Sequence, residues 1–105
     1  MYFKMKGKRE KLGEPDWRKS KIYMIQSESD IPPYIGYTTQ NLNDRLMDHK
    51  YNMEHGKYDG SELHLRTGTG EIVLVEKYGC NERDDIVGRY EWFLENYENC
   101  NKVKG

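Results

Sequence analysis

The sequence contains no long hydrophobic run. No segment approaches the roughly 18 consecutive apolar residues that a membrane-spanning helix needs, and the N-terminus lacks the apolar stretch of a secretory signal. Cysteine is also scarce, because Cys80 and Cys100 are too few for a disulfide framework. We therefore expect no membrane partner and an intracellular location, in the cytoplasm or nucleus of a host cell.

Two common ligand-binding motifs are missing as well. The chain has no GxxxxGK[ST] segment, so the glycines between residues 56 and 70 indicate a flexible loop rather than a nucleotide-binding loop. Its three histidines and two cysteines show neither CxxC nor HxxxH spacing, which argues against a structural zinc site.

Charge is abundant but unevenly distributed along the chain. Of 105 residues, 35% are hydrophobic and 33% are charged, which predicts one small domain with a modest core. Residues 1–20 carry seven basic and three acidic side chains, whereas the other 85 residues carry ten basic and fifteen acidic ones. A basic arm on an acidic body suggests contact with a polyanion, and a solvated terminus is the alternative. The arm residues expected to make this contact are Lys4, Lys6, Lys8, Arg9 and Lys11.

Hydrophobic periodicity predicts the order β-β-α-β-α. Residues 21–26 (KIYMIQ) and 34–38 (YIGYT) predict an antiparallel hairpin, because the prolines of SESDIPP prevent a helix between them. Residues 71–78 predict a third, central strand, and residues 41–53 and 86–97 predict helices, with one short helical turn at SELHLR. The expected fold class is α/β (α+β), a small three-stranded antiparallel sheet flanked by helices.

Five sequence elements occur in an order that resembles the GIY-YIG nuclease family. They are the KIY and YIG phrases, an Arg and a His four apart on the next helix, a Glu on the last helix, and a closing Asn. The resemblance covers residues 21–101, and the run EKYGCNERDDIVGRYEWFLENYENCNK is similar to members from phages and large DNA viruses. Two departures are that Lys21 replaces the glycine of the family name and that Tyr37 follows YIG where some relatives carry lysine.

The resemblance implies a role for each matching residue. Tyr23 is the expected general base, although a free tyrosine has a pKa of about 10 and would need nearby positive charge to work near neutrality. Arg45 suits bidentate contact with phosphate oxygens, and Glu91 is expected to hold one Mg²⁺ or Mn²⁺ ion. Tyr34 would hydrogen-bond the phosphate or the water, and His49 would relay a proton or hold the phosphate. Asn101 and Lys50 are expected in supporting positions.

These assignments predict a metal-dependent endonuclease that hydrolyses phosphodiester bonds in DNA. Residues 21–105 would form the catalytic domain with the GIY-YIG fold, and residues 1–20 the basic arm. A further DNA-binding domain or a partner protein is a possible source of specificity. Two alternatives remain open: a non-catalytic nucleic-acid-binding module of the same fold, and a nuclease that acts on RNA.

Overall fold

The computed structural model describes residues 15–102. The expected DNA contacts of the basic arm, Lys4, Lys6, Lys8, Arg9 and Lys11, lie outside these residues. None of the helices in the described range is long and apolar enough to cross a membrane.

Three strands form one antiparallel sheet. The strands are β1 (Lys21–Gln26), β2 (Tyr34–Thr38) and β3 (Glu71–Lys77), arranged in the order β2-β1-β3. The three-stranded antiparallel sheet is thereby confirmed, but the prediction that residues 71–78 form its centre is wrong. The apolar run of β3 suggested a central strand, yet β3 lies at an edge, where Ile72, Val73 and Val75 are only partly buried and Leu74 is exposed. β1 occupies the centre and buries Ile22, Tyr23 and Ile25 completely.

Within residues 15–102, three α-helices complete the α+β domain. They are α1 (Leu42–Glu54), the single-turn α2 (Glu62–Leu65) and α3 (Arg83–Asn96). Asn41 begins α1, because its side-chain oxygen accepts a hydrogen bond of 2.8 Å from the backbone N–H of Asn43. The short α2 lies at the predicted SELHLR turn, so the strands and α-helices of the described residues follow the order β-β-α-α-β-α.

The sheet separates two hydrophobic clusters, because successive side chains of a strand point to opposite faces. One cluster contains Ile22 and Ile35 and is covered by Ile86 and Phe93 of α3. The other contains Tyr23, Ile25 and Tyr34 and is covered by Leu42 and Leu46 of α1 together with Leu65 of α2.

Residues just before β1 pack on the α3 side of the sheet. Trp17, in a 3-10 turn (Trp17–Lys19), contacts that cluster, and its carbonyl accepts a 3.0 Å hydrogen bond from the N–H of Cys80. The carbonyl of Ser20 accepts a second bond, of 2.9 Å, from the N–H of Tyr78. Trp17 and Ser20 thereby join this segment to the residues that follow β3.

The C-terminal residues cover the outer edge of β2. The side chain of Asn101 pairs with Ile35 like a neighbouring strand: its oxygen accepts from the Ile35 N–H at 2.9 Å, and its amide donates to the Ile35 carbonyl at 2.7 Å. Asn101 is 6% exposed, so these bonds are shielded from water. The backbone N–H of Cys100 adds a bond of 3.1 Å to the carbonyl of Pro33.

Replacing Asn101 should measurably destabilise the domain. We expect Asn101→Ala to lower the free energy of unfolding by about 1–3 kcal/mol, because buried backbone groups of Ile35 lose their partners. Asn81→Ala, at an exposed position, is the matched control and should change stability by no more than about 0.5 kcal/mol. Urea unfolding of both variants measures the difference, and equal stabilities would contradict the role assigned to Asn101.

Candidate active site

The sheet brings Tyr23 and Tyr34 to the same face. Ile25, two residues after Tyr23, pairs with Tyr34 across β1 and β2, so the register gives both tyrosines the same orientation. Their ring centroids are 6.4 Å apart, and the His49 ring packs edge-on against both of them. The hairpin therefore has the register that a shared tyrosine site requires.

Gly36 creates the space that the Tyr23 side chain occupies. Gly36 is the residue paired with Tyr23 across the hairpin. A Cβ added at position 36 would overlap the Cζ and the hydroxyl of Tyr23. The glycine of the YIG phrase is thus required by close approach of a side chain rather than by a left-handed backbone conformation.

The Tyr23 hydroxyl joins two residues of α1. It lies 2.7 Å from Nε2 of His49 and accepts a hydrogen bond of 3.2 Å from Nε of Arg45. Arg45 and His49 are four residues apart, so they project from the same side of the helix. Tyr23 has no exposed surface and His49 is 1% exposed, which keeps their bond out of water.

Ser61 and Asp59 determine which nitrogen of His49 carries the proton. The Ser61 hydroxyl donates to Asp59 Oδ1 at 2.6 Å, so its oxygen is left to accept from His49 Nδ1 at 3.1 Å. Asp59 Oδ2 lies 3.4 Å from the same nitrogen. With the proton on Nδ1, the Nε2 atom of a neutral His49 accepts the proton of the Tyr23 hydroxyl. Tyr23, His49 and Asp59 therefore form a phenol–imidazole–carboxylate chain.

Burial dominates the ionisation of the two tyrosines. Burial raises the pKa of Tyr23 to about 12, although the charge and hydrogen bond of Arg45 act in the opposite direction. Burial, followed by the proximity of Tyr23 and Asp59, raises the pKa of Tyr34 well above its ordinary value. Arg45 alone therefore does not make Tyr23 a tyrosinate near neutrality.

The pKa of the Asp59 carboxyl shifts in the opposite direction, below its ordinary value. Burial would raise its pKa, but hydrogen bonds from His49 and Ser61 outweigh this and hold the pKa well below its usual range. Asp59 is consequently an anion throughout the neutral range. An anion at this position stabilises a positive charge on the His49 ring.

A cleft of about 250 Å³ opens beside these groups. We call it the tyrosine cleft. Its lining residues are Tyr23, Tyr34, Gly36, Tyr37, Arg45 and Tyr90. Tyr37 and Tyr90 have ring centroids 5.1 Å apart, and the Tyr90 hydroxyl accepts a 3.2 Å hydrogen bond from Asn101. Asn101 therefore supports one wall of the cleft.

The remaining expected site residues lie outside this group. Lys50 is exposed on α1, and Glu91 is exposed on α3 immediately after Tyr90. Arg45 pairs with Asp48 at 3.7 Å rather than with Glu91, and no ion pair within residues 15–102 involves Glu91.

The described part of the chain contains no group of three or more His, Cys, Asp or Glu side chains arranged to hold a metal ion. Mg²⁺ does not need three protein ligands, because it keeps several waters and is commonly bound through one or two carboxylates. The exposed Glu91 carboxylate, without an ion pair among these residues, fits that mode of binding.

Sequence reasoning missed Asp59 and Ser61. Both precede α2 in a loop rich in glycine, and neither belongs to a recognisable motif. The signal that could have found them is His49 itself, since a histidine on the buried side of a helix needs a polar partner for each ring nitrogen.

In comparisons with known proteins, the chain matches no protein-family profile, no curated protein and no solved structure.

The raised pKa of Tyr23 predicts a change of stability at alkaline pH. Its stabilising effect is fully present below the unfolded pKa of about 10 and is lost as pH rises towards the folded value of about 12. We expect wild-type protein to lose about 2 kcal/mol of unfolding free energy over this range that Tyr23→Phe does not lose. Tyr51→Phe, at an exposed tyrosine, is the control and should follow the wild type. Parallel alkaline profiles for all three proteins would show that Tyr23 titrates normally.

Proposed function

We propose that the chain is a metal-dependent endonuclease of the GIY-YIG type that hydrolyses phosphodiester bonds in DNA. One observation carries this proposal: the hydroxyl of Tyr23, a residue that lines the tyrosine cleft, is hydrogen-bonded to both His49 and Arg45. A buried phenol needs a hydrogen-bond partner in any case, but the partners of Tyr23 are a guanidinium and an imidazole, which are groups that can hold a phosphate and accept a proton. An intracellular location is consistent with a DNA substrate.

Tyr23 acts as a base through His49 rather than as a free tyrosinate. As a water molecule attacks the phosphorus, Tyr23 takes a proton from the water and its own proton moves to Nε2 of His49. The resulting imidazolium lies beside the Asp59 carboxylate, which stabilises it. This transfer avoids the cost of ionising a buried phenol whose pKa is about 12.

Arg45 and Tyr34 are suited to hold the phosphate. The Nε–H of Arg45 is engaged with Tyr23, and its terminal N–H groups are the donors that remain for phosphate oxygens. Tyr34 lines the same cleft and can donate a hydrogen bond from its phenol. Both contacts stabilise negative charge where it increases during attack.

Glu91 is the carboxylate that would hold the divalent metal. A Mg²⁺ or Mn²⁺ ion bound there would supply Lewis-acid stabilisation of the phosphate and of the departing 3′ oxygen. Glu91 follows Tyr90, a residue of the cleft wall, on α3. Asn101 and Lys50 are placed outside the chemistry: Asn101 positions Tyr90, and Lys50 is available for an outer phosphate.

One observation favours a non-catalytic nucleic-acid-binding module instead. Glu91 is not among the residues that line the tyrosine cleft and is exposed on α3. Incubation of the protein with supercoiled plasmid, branched DNA and RNA, each with Mg²⁺, Mn²⁺ or EDTA, separates the possibilities. We expect metal-dependent cutting of DNA. Binding without cutting would establish the module, and cutting of RNA alone would establish an RNA substrate.

Neutralising Glu91 should abolish cutting without unfolding the protein. We expect Glu91→Gln to lower the cleavage rate at a fixed metal concentration by at least about a hundredfold, because the metal loses its carboxylate ligand. Glu95→Gln, one turn further along α3 and also exposed, is the matched control and should retain activity. Full activity of Glu91→Gln would remove Glu91 from the site, and loss of activity in Glu95→Gln alone would move the metal to that residue.

Asp59→Asn tests the phenol–imidazole–carboxylate chain. We expect a cleavage rate lower by about 10²–10⁴-fold, because the neutral amide no longer stabilises the imidazolium. Nitrogen NMR of the imidazole should also show His49 losing its preference for a proton on Nδ1. Asp30→Asn, at an exposed loop position, should behave like the wild type in both measurements. An unchanged rate with an unchanged tautomer would contradict the role of Asp59.

A further inference from the structure

A second and larger cleft, of about 450 Å³, lies at the end of the sheet where β1 begins. We call it the basic cleft. Four cations line it, Arg18, Lys19, Lys21 and Lys77, together with the polar side chains of Thr39 and Asn41. None of the described residues that line it carries a carboxylate. The basic cleft is therefore a local excess of positive charge in a chain of nearly balanced charge, with 18 acidic and 17 basic residues.

The positive charge of the basic cleft is incompletely neutralised. Arg18 is paired with Asp16 at 3.0 Å, but no described ion pair involves Lys19, Lys21 or Lys77. Lys21 is half-buried, and its ammonium donates to the carbonyl of Gln40 at 2.7 Å. Burial, followed by the charges of Lys19 and Lys77, lowers the pKa of Lys21. Three cations held this close together favour an anionic ligand.

The basic cleft adjoins the tyrosine cleft along two elements. On β1, Lys21 lies two residues before Tyr23, on the same face and about 6.6 Å away along the strand. On α1, Asn41 at the N-cap lies four residues before Arg45, about 6 Å along the helix axis. Both elements thus run from a residue of the basic cleft to a residue of the tyrosine cleft over a similar distance.

From this arrangement we propose that the basic cleft binds backbone phosphates of the same DNA strand, directly next to the phosphate that reacts in the tyrosine cleft. The inference rests on the proposed function, since it takes the tyrosine cleft as the place of reaction. Lys19, Lys21 and Lys77 contact the phosphates as point charges, and Thr39 and Asn41 add hydrogen-bond donors. Such contacts fix the position of the strand and read no base sequence.

Binding of a short fluorescent DNA duplex at several salt concentrations, in EDTA so that no cutting occurs, tests the basic cleft. The variant Lys21→Gln with Lys77→Gln should bind more weakly, and the slope of log K against log salt should become shallower by about 0.9 for each phosphate that the protein no longer neutralises. The control, Lys57→Gln with Arg66→Gln, removes the same charge from exposed residues outside the cleft. It should keep a slope close to that of the wild type.

A second pair protects the test against misfolding, because Lys21 also contacts Gln40. Lys19→Gln with Lys77→Gln alters exposed residues only, and thermal unfolding verifies that each variant folds. A slope in both cleft variants equal to that of the control overturns the proposal. A change confined to the Lys21 variant also overturns it, because the effect then belongs to one residue. The same titrations are made with an RNA duplex of matching sequence, and loss of RNA binding without loss of DNA binding in the cleft variants would refute the assignment to DNA.

Plasmid cutting in Mg²⁺, measured on the same variants, separates this inference from the proposed function. If the wild type binds DNA through the basic cleft but cuts nothing, the endonuclease proposal fails and the phosphate site stands. If the wild type cuts DNA and the cleft variants bind like the control, the phosphate site fails and the endonuclease stands.

Discussion

The arrangement of the domain depends on the hydrogen bonding of one buried hydroxyl. Tyr23 lies in the central strand with no exposed surface, so its hydroxyl requires partners from the protein. Arg45 and His49 supply them from one face of α1, which requires α1 to cross the sheet at a fixed position. Leu42 and Leu46 hold the helix there by packing on the same cluster. Hydrophobic packing and polar pairing thus determine the same placement of α1.

The C-terminal segment contacts this site at two places, the edge of β2 and the loop that contains Asp59. Asn101 pairs with the edge of β2 and positions Tyr90 in the cleft wall. Lys102 donates its N–H to the carbonyl of Asp59 at 3.0 Å, and its ammonium pairs with the buried Glu62. At Gly60, where φ is +111°, a Cβ would overlap the carbonyl of Cys100, so the loop and the segment are in direct contact. The loop that presents Asp59 to His49 is therefore held by residues about forty positions later in the sequence.

Sequence reasoning recovered the features that depend on local pattern. The bounds of β1 and β2 agree with the structure, because alternation and the prolines of the loop define both strands. The position of Arg45 and His49 on the same side of α1 followed from their helical spacing. The edge position of β3 and the Asp59–Ser61 contact did not follow, because each is set by contacts distant in sequence. The raised pKa of Tyr23 was also missed, since the effect of Arg45 could be foreseen but the complete burial of the phenol could not.

The two clefts divide binding from chemistry in the proposed enzyme. Beside Tyr23, the charge of Arg45 is partly balanced by Asp48 at 3.7 Å, and the nearest anion behind His49 is Asp59. Among residues 15–102, Lys19, Lys21 and Lys77 form no ion pair, and these three cations lie instead in the basic cleft. A strongly positive reaction site would bind the substrate and the transition state alike, which strengthens binding without raising the turnover rate. Holding neighbouring phosphates with Lys19, Lys21 and Lys77 gives affinity from groups that do not react, and leaves the contacts of Tyr23, His49 and Arg45 for the charge that develops during attack.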